Sequence, residues 1–191
     1  MKKDKEMLEQ KLSKYMEVDN LLELGCFNGS ELGCYTEMLS KYAKQVTAID
    51  IFSKNVESAK EVYNSKHIDN INVIQMNASN LKFDDNSFDC VVCSTFHEMD
   101  PSIQMKILEE SNRVLKYPKR IIFMEPNEES VTNELFKVFD PNEDHAQRIT
   151  NTKEKIIKFA ENYGYSIEKL SDTIAINQFD SREELLNEML N

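Results

Sequence analysis

The feature that most constrains this chain is its rhythm. Short apolar, β-rich runs alternate with stretches of helical periodicity. NLLELG precedes SELGCYTEMLSKYA, QVTAIDI precedes SKNVESAKEVYNSKH, NINVIQMNA stands third, FDCVVCST precedes PSIQMKILEESNRVLK, and KRIIFMEPN follows. Parallel neighbours need long right-handed crossovers, so this order predicts a doubly wound α/β fold with helices on both faces of a mostly parallel sheet. FDCVVCST is nearly all apolar, as expected of a central strand covered on both sides. Ser53 is expected to open the second helix, and Pro101 to sit in the first turn of the helix after the fourth strand.

After Asn127 the rhythm changes. Residues 128–150 read as a long connection containing ELFKVF and DPNEDHAQR, suited to a lid over an acceptor pocket through Phe136, Phe139 and His145. The helix NTKEKIIKFAENYG follows, with Gly164 as its C-cap. YSIEKL and TIAINQF, separated by Ser171 and Asp172, read as an antiparallel hairpin. The expectation is therefore a seven-stranded sheet with its last strand antiparallel, in one domain over residues 1–191. A helix over residues 1–17 opens it and one over 181–191 closes it.

Composition narrows the function classes. The chain has 191 residues, 40% of them apolar, and no run long enough to span a membrane. The charged N-terminus lacks the apolar core of a signal peptide, which predicts a cytoplasmic protein. A net charge of −11 repels phosphate backbones and anionic lipid, so neither nucleic acid nor membrane is an expected partner. Cys90 and Cys93 form C-V-V-C on a strand, where positions three apart face opposite sides. They are expected to be buried hydrophobes, neither a chelating pair nor a disulfide.

Three of the four glycines, Gly25, Gly29 and Gly33, lie in LLELGCFNGSELG, between the first strand and the first helix. Such a turn lets a ligand approach the backbone and aims a helix N-terminus at it. A phosphate loop needs Lys-Ser/Thr after its last glycine, whereas Gly29 is followed by Ser30 and Glu31. The four-residue glycine spacing also fits G-x-G-x-x-G poorly. Asp50 ends the second strand, at a distance suited to a two-oxygen grip on ribose hydroxyls.

Glu23-Leu-Gly-Cys-Phe-Asn-Gly29, Asp50 and the block NVIQMNASNLKFDDNSFDCVVCSTFHEM resemble class I S-adenosylmethionine (SAM)-dependent methyltransferases over roughly residues 18–180. Within that class the chain is most similar to small-molecule methyltransferases related to the quinone-pathway C-methylases. The resemblance implies SAM as cofactor, with S-adenosylhomocysteine as product. It implies a cofactor site of Glu23, Gly25, Cys26, Phe27, Asn28, Gly29, Asp50, Ile51, Asn77, Ala78 and Ser94. Glu23 would orient the SAM amino group through the loop, Asp50 would hold the ribose, and Asn77 and Ala78 would face the adenine. Phe27 stands where relatives carry the middle glycine. The resemblance also places the reversal of strand order between the first and fourth strands, bringing the glycine loop opposite STFHEM.

His97 and His145 are the candidate catalytic groups, since an imidazole near neutrality can act as a general base. Glu98 and Glu125 lie near the same site. Glu143, Asp144 and His145 are possible metal ligands, but adjacent residues rarely aim at one ion, so no metal site is expected. The acceptor is expected to be a small molecule or a short peptide. STFH is not the Asn/Asp-Pro-Pro-Tyr/Phe motif of nucleic-acid amino methylases, and no double-glutamate hairpin of arginine methylases is visible. A non-catalytic SAM-binding subunit and a nicotinamide-dependent reductase are the alternatives.

Overall fold

The computed structural model describes residue 9 and residues 12–29, 34–94, 96–126 and 144–168. Its centre is a five-stranded sheet of β1 (Asn20–Leu24), β2 (Gln45–Asp50), β3 (Ile71–Gln75), β4 (Cys90–Cys93) and β5 (Ile121–Phe123), in the order β3-β2-β1-β4-β5. Every pairing is parallel. Leu24 is in register with Ile49 on one side and Cys93 on the other, so the ends of β1, β2 and β4 are level.

Side-chain alternation divides the core in two. Leu21, Val46, Ala48, Val73, Cys90, Val92 and Ile122 pack on one face with α1 (residues 12–16), α2 (Thr36–Leu39) and α3 (Ser53–Ser65). Leu22, Leu24, Ile49, Val91 and Cys93 pack on the other with α4 (Gln104–Val114) and α5 (His145–Tyr163). Cys90 and Cys93 thus occupy opposite faces, both fully buried and unbridged, as the strand spacing requires. Among the described residues no helix is long and apolar enough to cross a membrane.

Several boundaries differ from the sequence expectation. Among the described residues the sheet has five strands, all parallel, where the sequence predicts seven with the last antiparallel. Tyr165–Glu168 are not in a strand, and the rest of the expected hairpin and the 181–191 helix lie outside the described residues. Ser53 is the first residue of α3, not its cap; the N-cap is Phe52, whose N–H is taken by the Asp50 carboxylate (2.9 Å). Pro101 lies in the turn before α4, which starts at Gln104. The helix expected from residue 151 starts at His145, because the Asp144 side chain caps it by accepting the Gln147 N–H (3.0 Å). Residues 145–150 are therefore helix rather than irregular connection, and 127–143 of the expected lid lie outside the described residues. Gly164 closes α5 in the left-handed conformation, φ 72°, as expected.

Candidate functional site

In a parallel sheet the crevice lies beyond the carboxyl ends of the strands, where strand order reverses. Here that point is between β1 and β4. The loops after all five strands gather on this edge; Glu23 and Asp50 come from the ends of β1 and β2, His145 from the start of α5, and the remaining candidates from these loops.

Glu23 is on β1 with no exposed surface. The Thr36 hydroxyl donates to its Oε2 at 2.5 Å, while Oε1 is buried without a hydrogen-bond partner among the described residues. Burial raises the Glu23 pKa to about 7, against the opposing pull of the Thr36 hydrogen bond. A short polar chain backs this pair: Cys34 Sγ lies 3.4 Å from Thr36 Oγ1 and 2.8 Å from the Tyr63 hydroxyl. Because Thr36 spends its one proton on Glu23, its oxygen is left only to accept, and Cys34 Sγ also lies 3.5 Å from the Cys26 carbonyl.

The glycine loop is held to the end of β2. Gly25 and Cys26 both donate to the Ile49 carbonyl, at 2.8 and 3.0 Å, and the Phe27 N–H donates to Asp50 Oδ2 at 3.1 Å. Gly25 (φ 76°), Phe27 (φ 56°) and Gly29 (φ 75°) are left-handed, so Phe27 adopts the backbone that its glycine counterparts would supply without strain. At Gly29 the crowding comes from the scaffold: a Cβ there would sit 2.9 Å from the Ala59 Cα of α3. Asn28 is half-buried in the turn, and Cys26 is buried. Burial, followed by the charges of Glu23 and Asp50, pushes the Cys26 thiol far above its usual range.

Asp50 is more committed than its sequence position suggests. Oδ1 accepts from the Phe52 N–H and from Asn55 Nδ2 (3.1 Å), and Oδ2 from Phe27. A carboxylate offers roughly four lone-pair sites. One remains, on Oδ2, so the expected two-oxygen grip on ribose is reduced to one oxygen unless Phe52 or Asn55 gives way. Around this carboxylate the large side chains of Phe27, Ile51 and Phe52 are 46%, 51% and 66% exposed. Three large apolar side chains bared at one strand edge form the kind of surface a planar ligand covers.

After β3, Asn77 is exposed and Ala78 half-buried. Asn77 Oδ1 accepts from the Ser79 N–H and hydroxyl, both at 2.9 Å, which shapes the turn. After β4, Ser94 is buried, and its hydroxyl has no partner among the described residues. Two buried oxygens, Glu23 Oε1 and Ser94 Oγ, therefore lack partners on the strands that flank the switch point. Buried polar atoms are ordinarily satisfied, so both call for ligand groups or water, and the residues present fit SAM.

His97 and His145 come together, although 48 positions separate them in the chain. Their rings meet edge to face with centroids 5.2 Å apart. His97 Nδ1 lies 2.5 Å from Glu125 Oε2 and its Nε2 lies 3.1 Å from Glu98 Oε1. Glu125 also accepts the N–H groups of Phe96 (3.0 Å) and His97 (3.3 Å), fixing the turn Phe96–Glu98 to the end of β5. Burial alone would lower the His97 pKa. The hydrogen bonds that His97 donates to Glu125 and Glu98 outweigh it and carry the value to about 9. This shift favours the protonated imidazole, the form that cannot accept a proton from an acceptor. Glu98 is pulled below the usual carboxylate range, chiefly by His97. Sequence reasoning missed Gln104 and Arg148. Gln104 Nε2 donates to the Phe96 carbonyl (2.9 Å) and Thr152 (3.2 Å), and Arg148 Nη1 reaches Glu98 Oε2 at 3.4 Å. Their roles depend on α4 and α5 packing together, which no local pattern reveals.

Residues 21–117, half of the chain, match the methyltransferase-domain family. The chain belongs to that family. S-adenosylmethionine is the cofactor that goes with it. The domain is similar to a demethylmenaquinone methyltransferase of Staphylococcus haemolyticus, with 33% identity over 97 residues, 50% of this chain and 39% of the relative. It is also similar to a ubiquinone/menaquinone biosynthesis C-methyltransferase of Francisella tularensis subsp. novicida, with 32% identity over 64% of this chain and 48% of the relative. The matched part of this methyltransferase domain thus spans less than half the length of either relative. A SAM-dependent methyltransferase from Aquifex aeolicus shares the fold, with TM-score 0.63, 22% identity, and coverage of 84% of this chain and 81% of that one.

Proposed function

We propose that the protein transfers the methyl group of SAM to a small-molecule or short-peptide acceptor by in-line displacement. The observation that carries this reading is the pair of buried oxygens without partners among the described residues, Glu23 Oε1 and Ser94 Oγ, on either side of the switch point. Bound at this edge, SAM supplies an electrophilic methyl group on a sulfonium centre.

The chain's own residues have simple tasks. Glu23 offers a buried acceptor, and Ser94 a hydroxyl able to donate or accept. Asp50 offers its remaining Oδ2 site to a ribose hydroxyl, and the bared faces of Phe27, Ile51 and Phe52 suit the adenine. Asn77 sets the turn that brings Ala78 to the same edge. Sulfonium charge is lost as the methyl moves, so rate comes from positioning and from keeping water out rather than from a charged catalyst. His97, protonated between Glu125 and Glu98, favours negative charge developing on an acceptor. The acceptor must therefore arrive as an anion or lose its proton elsewhere. Because the relatives are named for menaquinone and ubiquinone biosynthesis, a quinone-type acceptor is the first to test.

Calorimetry with S-adenosylhomocysteine is expected to show one site, with Asp50→Ala weakening it at least tenfold. Labelled SAM offered with a panel of acceptors, read by mass, then identifies the product. Unchanged affinity in Asp50→Ala, or no binding by the parent protein, refutes the assignment.

A further inference from the structure

We propose that His97, Glu98 and His145 form a binding site for a divalent transition-metal ion of the zinc type, oriented by Glu125. One potential ligand atom from each of the three lies within 4.8 Å of the others. Glu98 Oε1 stands between the rings, 3.1 Å from His97 Nε2 and 3.8 Å from His145 Nδ1. Donor atoms around a four-coordinate zinc, with bonds of about 2.0–2.2 Å, lie roughly 3.3–3.5 Å apart. The observed separations bracket that value, and a shift of about 1 Å by the half-exposed Glu98 side chain and the His145 ring closes the set. Two histidines and one carboxylate is an established zinc ligand set that leaves a position for water or for an acceptor heteroatom.

Ring orientation is the stronger argument. Histidines that bind metal usually give their other ring N–H to a carboxylate. His97 does so: Nδ1 faces Glu125, which is itself fixed by two backbone N–H groups, and Nε2 faces Glu98. At His145 the neighbour of Nδ1 is Arg148 Nη2, at 3.0 Å. Arginine only donates, so Nδ1 is the nitrogen with the lone pair, and it lies on the Glu98 side. Both histidines are buried, at 6% and 3% exposure, and come from separate elements that the fold brings together. Nε2 and Glu98 Oε1 at 3.1 Å need a positive centre between them, which is a proton without metal and the ion with it. Arg148 spans Glu98 Oε2 and His145 Nδ1, so the site requires the ion to replace this 32%-exposed side chain at the Nδ1 lone pair. The set differs from Glu143–Asp144–His145: Asp144 is spent on capping α5, and the carboxylate comes from residue 98.

This site does not depend on the methyl-transfer reading, so it is tested with metal alone. Chelator-treated full-length protein is titrated calorimetrically with zinc chloride, then with cobalt(II) chloride while the visible spectrum is recorded. One equivalent is expected to bind, and the cobalt form to show the intense visible bands of a four-coordinate ion. Glu98→Gln and His145→Asn should each weaken zinc at least tenfold, and Glu125→Gln by about 10–100-fold. His67→Gln, at the chain's third histidine, should leave it unchanged. Thermal melts confirm folding; Glu98 is half-exposed, so Glu98→Gln remains informative if a histidine variant unfolds. No stoichiometric binding, or zinc affinity unaltered in Glu98→Gln and His145→Asn, overturns the site. S-adenosylhomocysteine binding in the same preparations tells failure of the metal site from failure of the cofactor site.

Discussion

Glu23→Gln tests whether a buried, half-partnered carboxylate burdens the ligand-free protein. Its pKa rises from 4.5 to about 7 on folding. Below pH 4.5 the group is protonated both folded and unfolded, and there is no penalty. Between 4.5 and 7 the unfolded chain releases the proton and the folded chain keeps it, so stability falls with rising pH. Above 7 both forms are ionised and the loss is complete, about 3 kcal/mol at 1.36 kcal/mol per unit. Glutamine copies the protonated shape and removes this loss. Its carbonyl can still accept from Thr36, but its amide then occupies the orphan position and costs about 1–2 kcal/mol if unpaired. The net expectation is a gain of about 1–2 kcal/mol at pH 8 and a loss of about that size near pH 4.5. At pH 8 this is roughly 2–8 °C in Tm for a chain of this length. Urea denaturation of both proteins at half-unit steps from pH 4.5 to 8.5 gives the two curves, which should cross. A variant less stable than the parent at every pH, by a constant amount, refutes the reasoning. Under the proposed function the same substitution weakens SAM binding, so stability and affinity move in opposite directions.

Three further outcomes follow from the same geometry. Gly29→Ala places a Cβ 2.9 Å from Ala59 Cα on a left-handed backbone, and should cost about 2–3 kcal/mol by urea denaturation. Phe27→Gly relieves a left-handed strain of about 1–2 kcal/mol and adds about 0.5–1 kcal/mol of chain freedom, so stability should stay within about 1 kcal/mol of the parent. A loss above about 2 kcal/mol would mean that the half-exposed ring packs more firmly than its surface suggests. All four cysteines are buried, and burial pushes Cys90 up to about 12, so native protein should not react with a disulfide reagent at pH 8 until denatured.

The strands were legible because they are local: apolar runs of the right length fix them, and alternation alone puts Cys90 and Cys93 on opposite faces. Gly164 was legible for the same reason. Caps were less so: Asp50, whose alternative reading is a cap for the second helix, does take the Phe52 N–H, whereas Ser53 caps nothing and Asp144 starts α5 six residues early. The pairing of His97 with Glu125 spans 28 residues and depends on β4 lying beside β5. The approach of His145 to His97 depends further on α5 packing against the turn after β4. Neither leaves a periodic trace. Asp50 shows the reverse limit: its place was evident, but the three hydrogen bonds from Phe27, Phe52 and Asn55 that use up its lone-pair sites were not.

The contact between Gly29 and Ala59 bears on how this chain's history can be read. Gly29 is needed for α3 to lie against the turn, whether or not anything binds there. A descendant that lost its cofactor would remain under selection to keep that glycine, simply in order to fold. Retention of the loop's spacing among diverging copies would thus record architecture, and drift at Ser94 and Asp50 would date the loss of a trade.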